Sequence, residues 1–195
     1  SAMQQATVQL GKLGVQSIVN SMGVFVSAAF AAVNRIDDFA YMPQQNIAHA
    51  MTALMAQNKG AKKTDRIKAA FRCGMKIEIF YGIFIFFVCF FFAHPLMQLF
   101  SNDPVVCKHG VTYLKLISLM YLFPAVTNGV QGYFRGIGDL KVTLISSFVN
   151  MSVRVVFAAV LVFHFSLQIE ALPFSYLAGW IGMLVAEVPL LLRKL

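Results

Sequence analysis

The chain consists of long apolar runs separated by short polar sequences. A helix that crosses a membrane needs about 20 mostly apolar residues, and six windows of at least this length can be placed along the chain. These windows predict helices at residues 3–22, 24–56, 67–100, 105–134, 142–165 and 171–192. A closed β-barrel is the other way to span lipid, but these runs are too long for its strands and lack alternation of apolar and polar residues. The pattern predicts an all-α membrane protein in which residues 1–195 form one six-helix bundle.

Short polar sequences mark the ends of the predicted helices. Gly60 in "QNKGAKKTD" predicts the end of the second helix, and Thr64 and Asp65 are suited to cap the third. The sequence "SNDP" predicts a turn followed by a helix with Pro104 in its first turn. Pro124 predicts a kink in the fourth helix, because proline has no amide hydrogen to donate.

The composition also indicates a membrane environment. Hydrophobic residues make up 58% of the chain, charged residues make up 12%, and the mean hydropathy is +0.70. An average soluble domain has about 25% charged residues. Membrane lipid is therefore predicted to surround most of the chain.

The net charge of +8 is concentrated between the second and third helices. The cations of this region are Lys59, Lys62, Lys63, Arg66, Lys68, Arg72 and Lys76. Because Lys and Arg are retained on the cytoplasmic side of membranes, this loop and the C-terminus are predicted to be cytoplasmic. A nucleic-acid site would interleave cations with exposed aromatic residues, whereas the phenylalanines here lie in charge-free runs. No nucleic-acid partner is predicted.

Two rows of polar residues follow helical spacing along the first two predicted helices. The first row is Gln5, Gln9, Lys12, Gln16 and Asn20, and the second is Asn34, Asp38, Gln45, His49 and Thr52. Residues spaced by three, four and seven lie on one helix face, and such a face cannot be left against lipid. Two neighbouring polar faces predict the walls of a cavity. The alternative is that these groups hold helices together through interhelical hydrogen bonds.

Asp38 is the strongest functional candidate in these rows. An ionisable group inside a membrane is typical of a transport pathway. Arg35 precedes it by three residues, so an ion pair within the helix would neutralise Asp38 without a functional role. Both interpretations remain open from the sequence.

The other polar groups give no sign of an enzyme or a metal site. Glu78 is interpreted as structural, and Arg154 and Glu187 both need partners at their depth in the membrane, either in a structural ion pair or, for Arg154, in an anionic ligand. His49 has no second His or Cys at a metal-binding spacing, and no hydrolase, zinc or phosphate-loop motif occurs. No metal, cofactor or enzymatic activity is predicted.

Two motifs resemble the multidrug and toxic compound extrusion (MATE) family. They are "MTALMAQNKGAKKTDRIK" after the second helix and "NGVQGYFRGIGDLKVTLISSFVNMSVRV" across the fourth and fifth. The second motif is the more specific, because an arginine–glycine loop with an aspartate follows a glycine-bearing helix at this place in the family. The resemblance extends from the first helix to the last.

The resemblance implies one lobe of a larger transporter. Family members have about twelve helices in two six-helix lobes with a substrate cavity between them, and this chain resembles the second lobe. The start at Ser1, without an initiator methionine, predicts either a piece of a longer protein or the remnant of a tag at "SAM". The N-terminal lobe is thus an expected partner. The motif residues match two cytoplasmic loops of the family, with packing as their implied role, and are Gln57, Asn58, Gly60 and Ala61 in one loop and Arg135, Gly136, Gly138 and Asp139 in the other.

The coupling cation is expected outside this chain. Some family members hold a sodium ion or a proton on acidic residues of the first and fourth helices of this lobe. The first helix here has no carboxylate, and the middle of the fourth offers only Asn128 and Gln131. The coupling ion, H⁺ or Na⁺, is therefore expected in the missing lobe.

We predict half of a cation-coupled multidrug efflux antiporter that works by alternating access in the bacterial inner membrane. Its substrates are expected to be small organic cations. The predicted cavity-lining residues are Gln5, Gln16, Asn20, Asn34, Asp38 and Gln45. One alternative is a flippase for lipid-linked oligosaccharides or polysaccharides, although only Lys12 and Arg154 would make its cavity cationic. The other alternative is a membrane scaffold fragment that does not transport.

Overall fold

The structure is a computed structural model that describes the backbone of residues 2–194 and the side chains of residues 6–194. Within this part of the chain it is all-α. The helices are α1 (Ala2–Asn20), α2 (Val24–Gly60), α3 (Thr64–Phe91), α4 (Ala93–Gln98), α5 (Pro104–Ser118), α6 (Leu122–Gly136), α7 (Leu140–Phe163) and α8 (Ala171–Lys194).

Two of the predicted helices are each divided into two. The predicted helix 67–100 is α3 followed by the short α4, with the break at Phe92. The predicted helix 105–134 is α5 followed by α6, which meet at an angle of 52°. In both cases a proline, Pro95 or Pro124, lies a few residues after the break and cannot donate to the carbonyl four residues before it. The predicted kink at Pro124 is confirmed.

Helix ends agree with the turn signals at some positions and correct them at others. The Asp103 side chain caps α5 by accepting hydrogen bonds from the amides of Val105 and Val106, and Pro104 is its first residue, as predicted. α3 begins at Thr64 with Lys63 in the cap position and without a side-chain cap, so the predicted cap is wrong.

The second helix is longer than the predicted 24–56. It ends at Gly60, and Gln57 and Asn58 therefore belong to its last turn, not to a loop. The Asn58 side chain completes that turn, because its Nδ2 donates to the carbonyl oxygen of Leu54 at 2.8 Å. The chain reverses at Lys62, whose φ is 56°.

Fewer than six helices reach the hydropathy of a typical membrane span. In the described part of the chain, α3, α7 and α8 are long and apolar enough to cross a membrane, and the bent pair of α5 and α6 is a fourth. The two helices that carry the polar rows, α1 and α2, fall outside this set. Their polar side chains lower the mean hydropathy of each helix, so protein or water has to replace lipid along part of their surface.

α2 lies at the centre of the bundle. It packs against α3, α5 and α6, whereas α7 packs against α8 and α1. α2 and α6 approach each other closely, since a Cβ added at Gly132 would lie 2.9 Å from the carbonyl oxygen of Ala48. One turn later, a Cβ added at Gly136 would lie 3.0 Å from the carbonyl oxygen of Thr52. Two glycines four residues apart thus let the two backbones touch.

Candidate functional site

The polar rows of α1 and α2 are largely exposed on the outside of the bundle. Gln9, Lys12 and Asn20 of α1 are exposed, and Gln16 is half-buried. The exposed or half-buried members on α2 are Asn34, Asp38, Gln45, His49 and Thr52. We call these two rows together the polar surface. α1 and α2 are consecutive and in contact, so both rows belong to neighbouring helices, as the cavity hypothesis requires.

Of the six predicted cavity-lining residues, the structure describes the side chains of five. The side chain of Gln5 lies outside the described residues. Gln16 donates from Nε2 to Oδ1 of Asn20 at 2.9 Å, which supports the first row as a continuous polar strip. Asn34 is half-buried, and Asp38 and Gln45 are exposed. Their role in binding a substrate stays a prediction.

Asp38 does not form the ion pair that the sequence suggested as its structural role. The ion pair found within the described side chains joins Lys194 to Asp139, and none joins Arg35 to Asp38 within 4.0 Å. Both Arg35 and Asp38 are exposed. Asp38 lies about 21 Å from the start of α2, at 1.5 Å per residue. An exposed carboxylate at this position has to contact water or protein and not lipid.

The buried carboxylate of this region is the neighbouring Asp37. Its side chain is 4% exposed, and its Oδ1 accepts a hydrogen bond of 2.5 Å from the hydroxyl of Tyr121. Tyr121 lies in the break between α5 and α6. The ring of Tyr121 also packs edge-on against Tyr41, with ring centroids 5.4 Å apart. Asp37 thus joins the middle of α2 to the bend of the α5–α6 pair.

Arg154 lies buried on α7 against two aromatic rings of α8. Its guanidinium carbon is 3.7 Å from the ring centroid of Tyr176 and 5.8 Å from that of Trp180. Cation–π contacts of this kind stabilise a cation that is removed from water. The described residues contain no ion pair between Arg154 and Glu187, so the structure gives each of them a different partner.

Glu187 is held by hydroxyl and amide groups of α6 and α7. Its Oε1 accepts hydrogen bonds from Oγ of Ser146 at 2.5 Å and from Nε2 of Gln131 at 3.2 Å. The same Gln131 nitrogen lies 3.3 Å from Oγ of Ser147. The cluster connects α6, α7 and α8 inside the bundle, where water does not compete for these bonds.

The second family motif closes the end of the bundle at which α6 and α8 end. Asp139 accepts a hydrogen bond from the ammonium group of Lys194, the last described residue of α8. This contact lowers the pKa of the Asp139 carboxyl below its ordinary value of 3.8. Gly138 has a φ of 79°, a backbone conformation that a glycine adopts without strain.

The other residues of this motif also make local contacts. Lys59 at the end of α2 donates from its ammonium group to the carbonyl oxygen of Ile137. Arg135 is half-buried in the last turn of α6, and its Nε has no hydrogen-bond partner within the described residues. Gly136 faces α2, as described above. The motif therefore joins the end of α2 to α6 and α8.

Four residues that the sequence analysis missed or undervalued are buried in the bundle. Asp37 and Gln44 belong to the buried face of α2, and Glu78 belongs to that of α3. Tyr121 lies at the α5–α6 break. The signal was present in the sequence, because each of the first three is a polar residue at a position where the periodicity of its helix requires an apolar one. The helical spacing of the polar residues on α2 points to Asp38 and not to the neighbouring Asp37.

The described side chains hold no group of three or more His, Cys, Asp or Glu arranged to bind a metal ion. The three cysteines are free, with Cys73 exposed and Cys89 and Cys107 buried.

Residues 1–160 match the family model MatE. A probable multidrug resistance protein NorM from Thermotoga maritima is 24% identical over 185 residues, which cover 94% of this chain and 38% of that protein. An FAD transporter from Shewanella oneidensis is 26% identical over 121 residues, which cover 60% of this chain and 27% of that protein. The chain therefore spans well under half of the length of these relatives.

Solved structures share the fold. A MATE crystallised in complex with MaL6 superimposes with a TM-score of 0.91 at 18% sequence identity, over 98% of this chain and 44% of that one. An inward-facing conformation of a MATE family transporter of the MOP superfamily superimposes with a TM-score of 0.85 at 18% identity, over 100% of this chain and 46% of that one. The fold of this chain is that of one lobe of a twelve-helix transporter.

Proposed function

The chain belongs to the MatE family of transporters, and from this premise we propose that it forms the C-terminal lobe of a cation-coupled multidrug exporter. The protein would lie in the bacterial inner membrane with its basic loop and C-terminus in the cytoplasm, as the distribution of Lys and Arg favours. Its partner would be the N-terminal lobe of the same transporter.

The observation that carries this proposal is the exposed polar surface. Asp38 and Gln45 are exposed on the flank of a helix that is surrounded by apolar helices. A carboxylate at this depth is too costly to leave in hydrocarbon. The polar surface therefore faces a water-filled cavity against the second lobe, and its carboxylate attracts organic cations there.

Alternating access would then arise from movement of the two lobes about this cavity. A cation and a substrate that favour different lobe arrangements exchange across the membrane, because each shifts the population of the arrangements. The coupling ion, a proton or a sodium ion, is assigned to the other lobe. Within the described residues, neither α1 nor α6 carries a carboxylate.

An anionic dinucleotide is the second candidate substrate, since an FAD transporter is among the relatives. Lys12 is an exposed member of the polar surface and Arg35 is exposed beside it, and both favour such an anion. Transport of a cationic dye and of FAD by the same preparation distinguishes the two candidates.

The test uses the full-length protein that carries this chain, expressed in a bacterial strain without its own exporters. Asp38→Asn is expected to slow export of a cationic dye by roughly tenfold, which corresponds to about 1.4 kcal/mol. The matched control is Asp65→Asn, because Asp65 is an exposed carboxylate in the first turn of α3. Equal amounts of the proteins in the membrane are verified by immunoblot.

The results of this test distinguish the cavity assignment from the exporter function. Wild-type export with a selective loss in Asp38→Asn supports the proposal. Wild-type rates in both variants would contradict the assignment of the polar surface to the cavity, and no dye export by the wild-type protein would reject the exporter function itself.

A further inference from the structure

Glu78 on α3 and Gln44 on α2 are buried polar residues that lack partners. Both side chains are 0% exposed. Within the described residues, neither carboxyl oxygen of Glu78 and neither amide atom of Gln44 has a hydrogen-bond partner. Such groups are rare in folded proteins, because burial without a hydrogen bond costs free energy.

Two contacts define how α2 and α3 lie against each other. These helices are antiparallel, since only residues 61–63 separate them. The hydroxyl of Tyr81 on α3 donates to the carbonyl oxygen of Ala40 on α2 at 3.1 Å. Nearer to the connecting turn, Gly74 on α3 lies against the side chain of Met51 on α2.

The two unpartnered side chains lie between these contacts. Glu78 lies between the contact residues of α3, and Gln44 lies between those of α2. Both belong to the buried stripe of their helix. They are therefore at the same level in the interface between the two helices.

The third wall of this region is α6, which contributes small apolar residues. A Cβ added at Gly82 of α3 would lie 3.1 Å from the Cβ of Ala125 on α6. Gly132 of α6 lies against the backbone of Ala48 on α2. Gln44 is thus the buried polar side chain of α2 at the level of Glu78, and the neighbouring residues of α6 are small and apolar.

No charged group compensates a charge on Glu78. The titratable or charged residues in the middle of the surrounding helices are Arg35, Asp37, Asp38, Tyr41 and His49 on α2, Arg72, Cys73, Lys76, Tyr81 and Cys89 on α3, Tyr113 and Lys115 on α5, and Tyr133 and Arg135 on α6. Within the described side chains, none of these residues forms an ion pair or a hydrogen bond with Glu78. An ionised carboxylate in this position would have neither a counter-charge nor a donor, so the neutral acid is favoured.

We infer that Glu78 and Gln44 form a proton-binding site between α2 and α3. In the acid form, the O–H of Glu78 donates to the amide oxygen of Gln44, and the amide nitrogen of Gln44 donates to the carbonyl oxygen of Glu78. A carboxylic acid and a primary amide are complementary in this way, so rotation of the two side chains gives every one of the four atoms a partner. Loss of the proton removes the hydrogen bond from Glu78 to Gln44 and leaves the amide oxygen of Gln44 without a donor.

Besides Asp38, the lobe formed by this chain would thus have a second carboxyl group that can bind a proton. We assigned the coupling ion to the other lobe. Proton binding itself does not depend on transport. Its use in transport rests on the exporter function proposed above, because a proton that tightens the contact between α2 and α3 also acts on the helix that carries Asp38.

Infrared difference spectroscopy tests the site in the full-length protein that carries this chain, reconstituted in lipid nanodiscs and titrated with hydroxide. The wild type is expected to show the carbonyl band of a protonated carboxylic acid, which disappears as the pH rises. The contribution of Glu78 to this band is expected to be absent in Glu78→Gln and present in the control Asp65→Asn, whereas any contribution of the buried Asp37 and Glu187 is common to all three proteins. In Gln44→Leu the band is expected to remain at a shifted frequency, because the hydrogen bond to its carbonyl is lost.

Thermal unfolding of the same proteins gives an independent readout. Glu78→Gln carries a neutral side chain of the same shape, so its unfolding temperature is expected to fall less than that of the wild type as the pH rises. Identical infrared spectra for wild type and Glu78→Gln, or an unshifted band in Gln44→Leu, would overturn the proton site. Dye export is measured in parallel, and its absence in the wild type would overturn the exporter function and not the site.

Discussion

The hydroxyl of Tyr121 donates a hydrogen bond of 2.5 Å to the carboxylate of Asp37 across the interior of the bundle. These residues are 84 positions apart in the sequence, and both are buried. Tyr121 lies in the break between α5 and α6, so the bond fixes the bend of that pair relative to α2. The other carboxyl oxygen of Asp37 has no partner within the described residues, which makes this bond its main support.

Tyr121→Phe is therefore expected to destabilise the protein. The substitution removes one hydroxyl and leaves a buried carboxylate without its donor, at a cost of about 1–3 kcal/mol. The measurement is thermal unfolding of the detergent-solubilised full-length protein, followed by fluorescence-detected size exclusion.

Tyr81→Phe is the matched control. Tyr81 donates to a backbone carbonyl oxygen, that of Ala40, at 3.1 Å, and such bonds within membranes average about 0.6 kcal/mol. An equal loss of stability in the two variants would contradict the special role of the bond to Asp37. A double-mutant cycle with Asp37→Asn isolates the pairwise energy.

Much of the fold was accessible from the sequence because long apolar runs between polar turns leave few alternatives in a membrane. The breaks at Phe92 and at the α5–α6 bend were harder to place, since a proline weakens a helix but tertiary packing decides where it opens. The polar surface was predictable because its residues recur at spacings of three, four and seven along each helix. Asp37, Gln44 and Glu78 do interrupt the apolar stripes of their helices, but the sequence alone does not show which contacts such a buried polar group makes.

Gly132→Ala is expected to weaken the contact between α2 and α6. The added Cβ would lie 2.9 Å from the carbonyl oxygen of Ala48, and a backbone atom cannot rotate away. Overpacking of this kind costs about 1–3 kcal/mol. The unfolding temperature is expected to fall, and dye export is expected to fall with it.

Gly60→Ala is the control for this prediction. A Cβ at Gly60 meets nothing within 4 Å, and alanine is favoured over glycine in helices by up to about 1 kcal/mol. Gly60→Ala is therefore expected to be neutral or stabilising. A similar loss in both variants would contradict the contact with α2 as the cause, because alanine at Gly60 meets no neighbouring atom.

The ion pair between Asp139 and Lys194 is expected to give a pH-dependent contribution to stability. Lys194 lowers the pKa of Asp139 in the folded protein below the ordinary value of 3.8. A carboxyl with a lowered pKa stabilises the folded state above its unfolded-state pKa, and this contribution is lost as the pH falls through the folded-state pKa. The difference in stability between wild type and Asp139→Asn should thus be present at neutral pH and be lost as the pH falls through the folded-state pKa, which lies below 3.8.

The size of this difference is expected to be small, because the side chains of Lys194 and Asp139 are 41% and 26% exposed and exposed pairs contribute little. It should also decrease with added salt. Lys194→Gln should reproduce the effect of Asp139→Asn. A difference that grows at acidic pH would contradict the assignment.

The basic turn after α2 is expected to be accessible only from the cytoplasm, and the turn before α5 only from the opposite side. Lys62 and Asn102 are both exposed in these turns, and Lys and Arg concentrate around the first. The measurement is labelling of Lys62→Cys and Asn102→Cys in intact cells with a membrane-impermeant maleimide. Cys73 is exposed and must first be replaced by serine, whereas Cys89 and Cys107 are buried and serve as unlabelled internal controls. Labelling of position 62 and protection of position 102 in intact cells would reverse the orientation, and it would place the Asp139–Lys194 pair outside the cell.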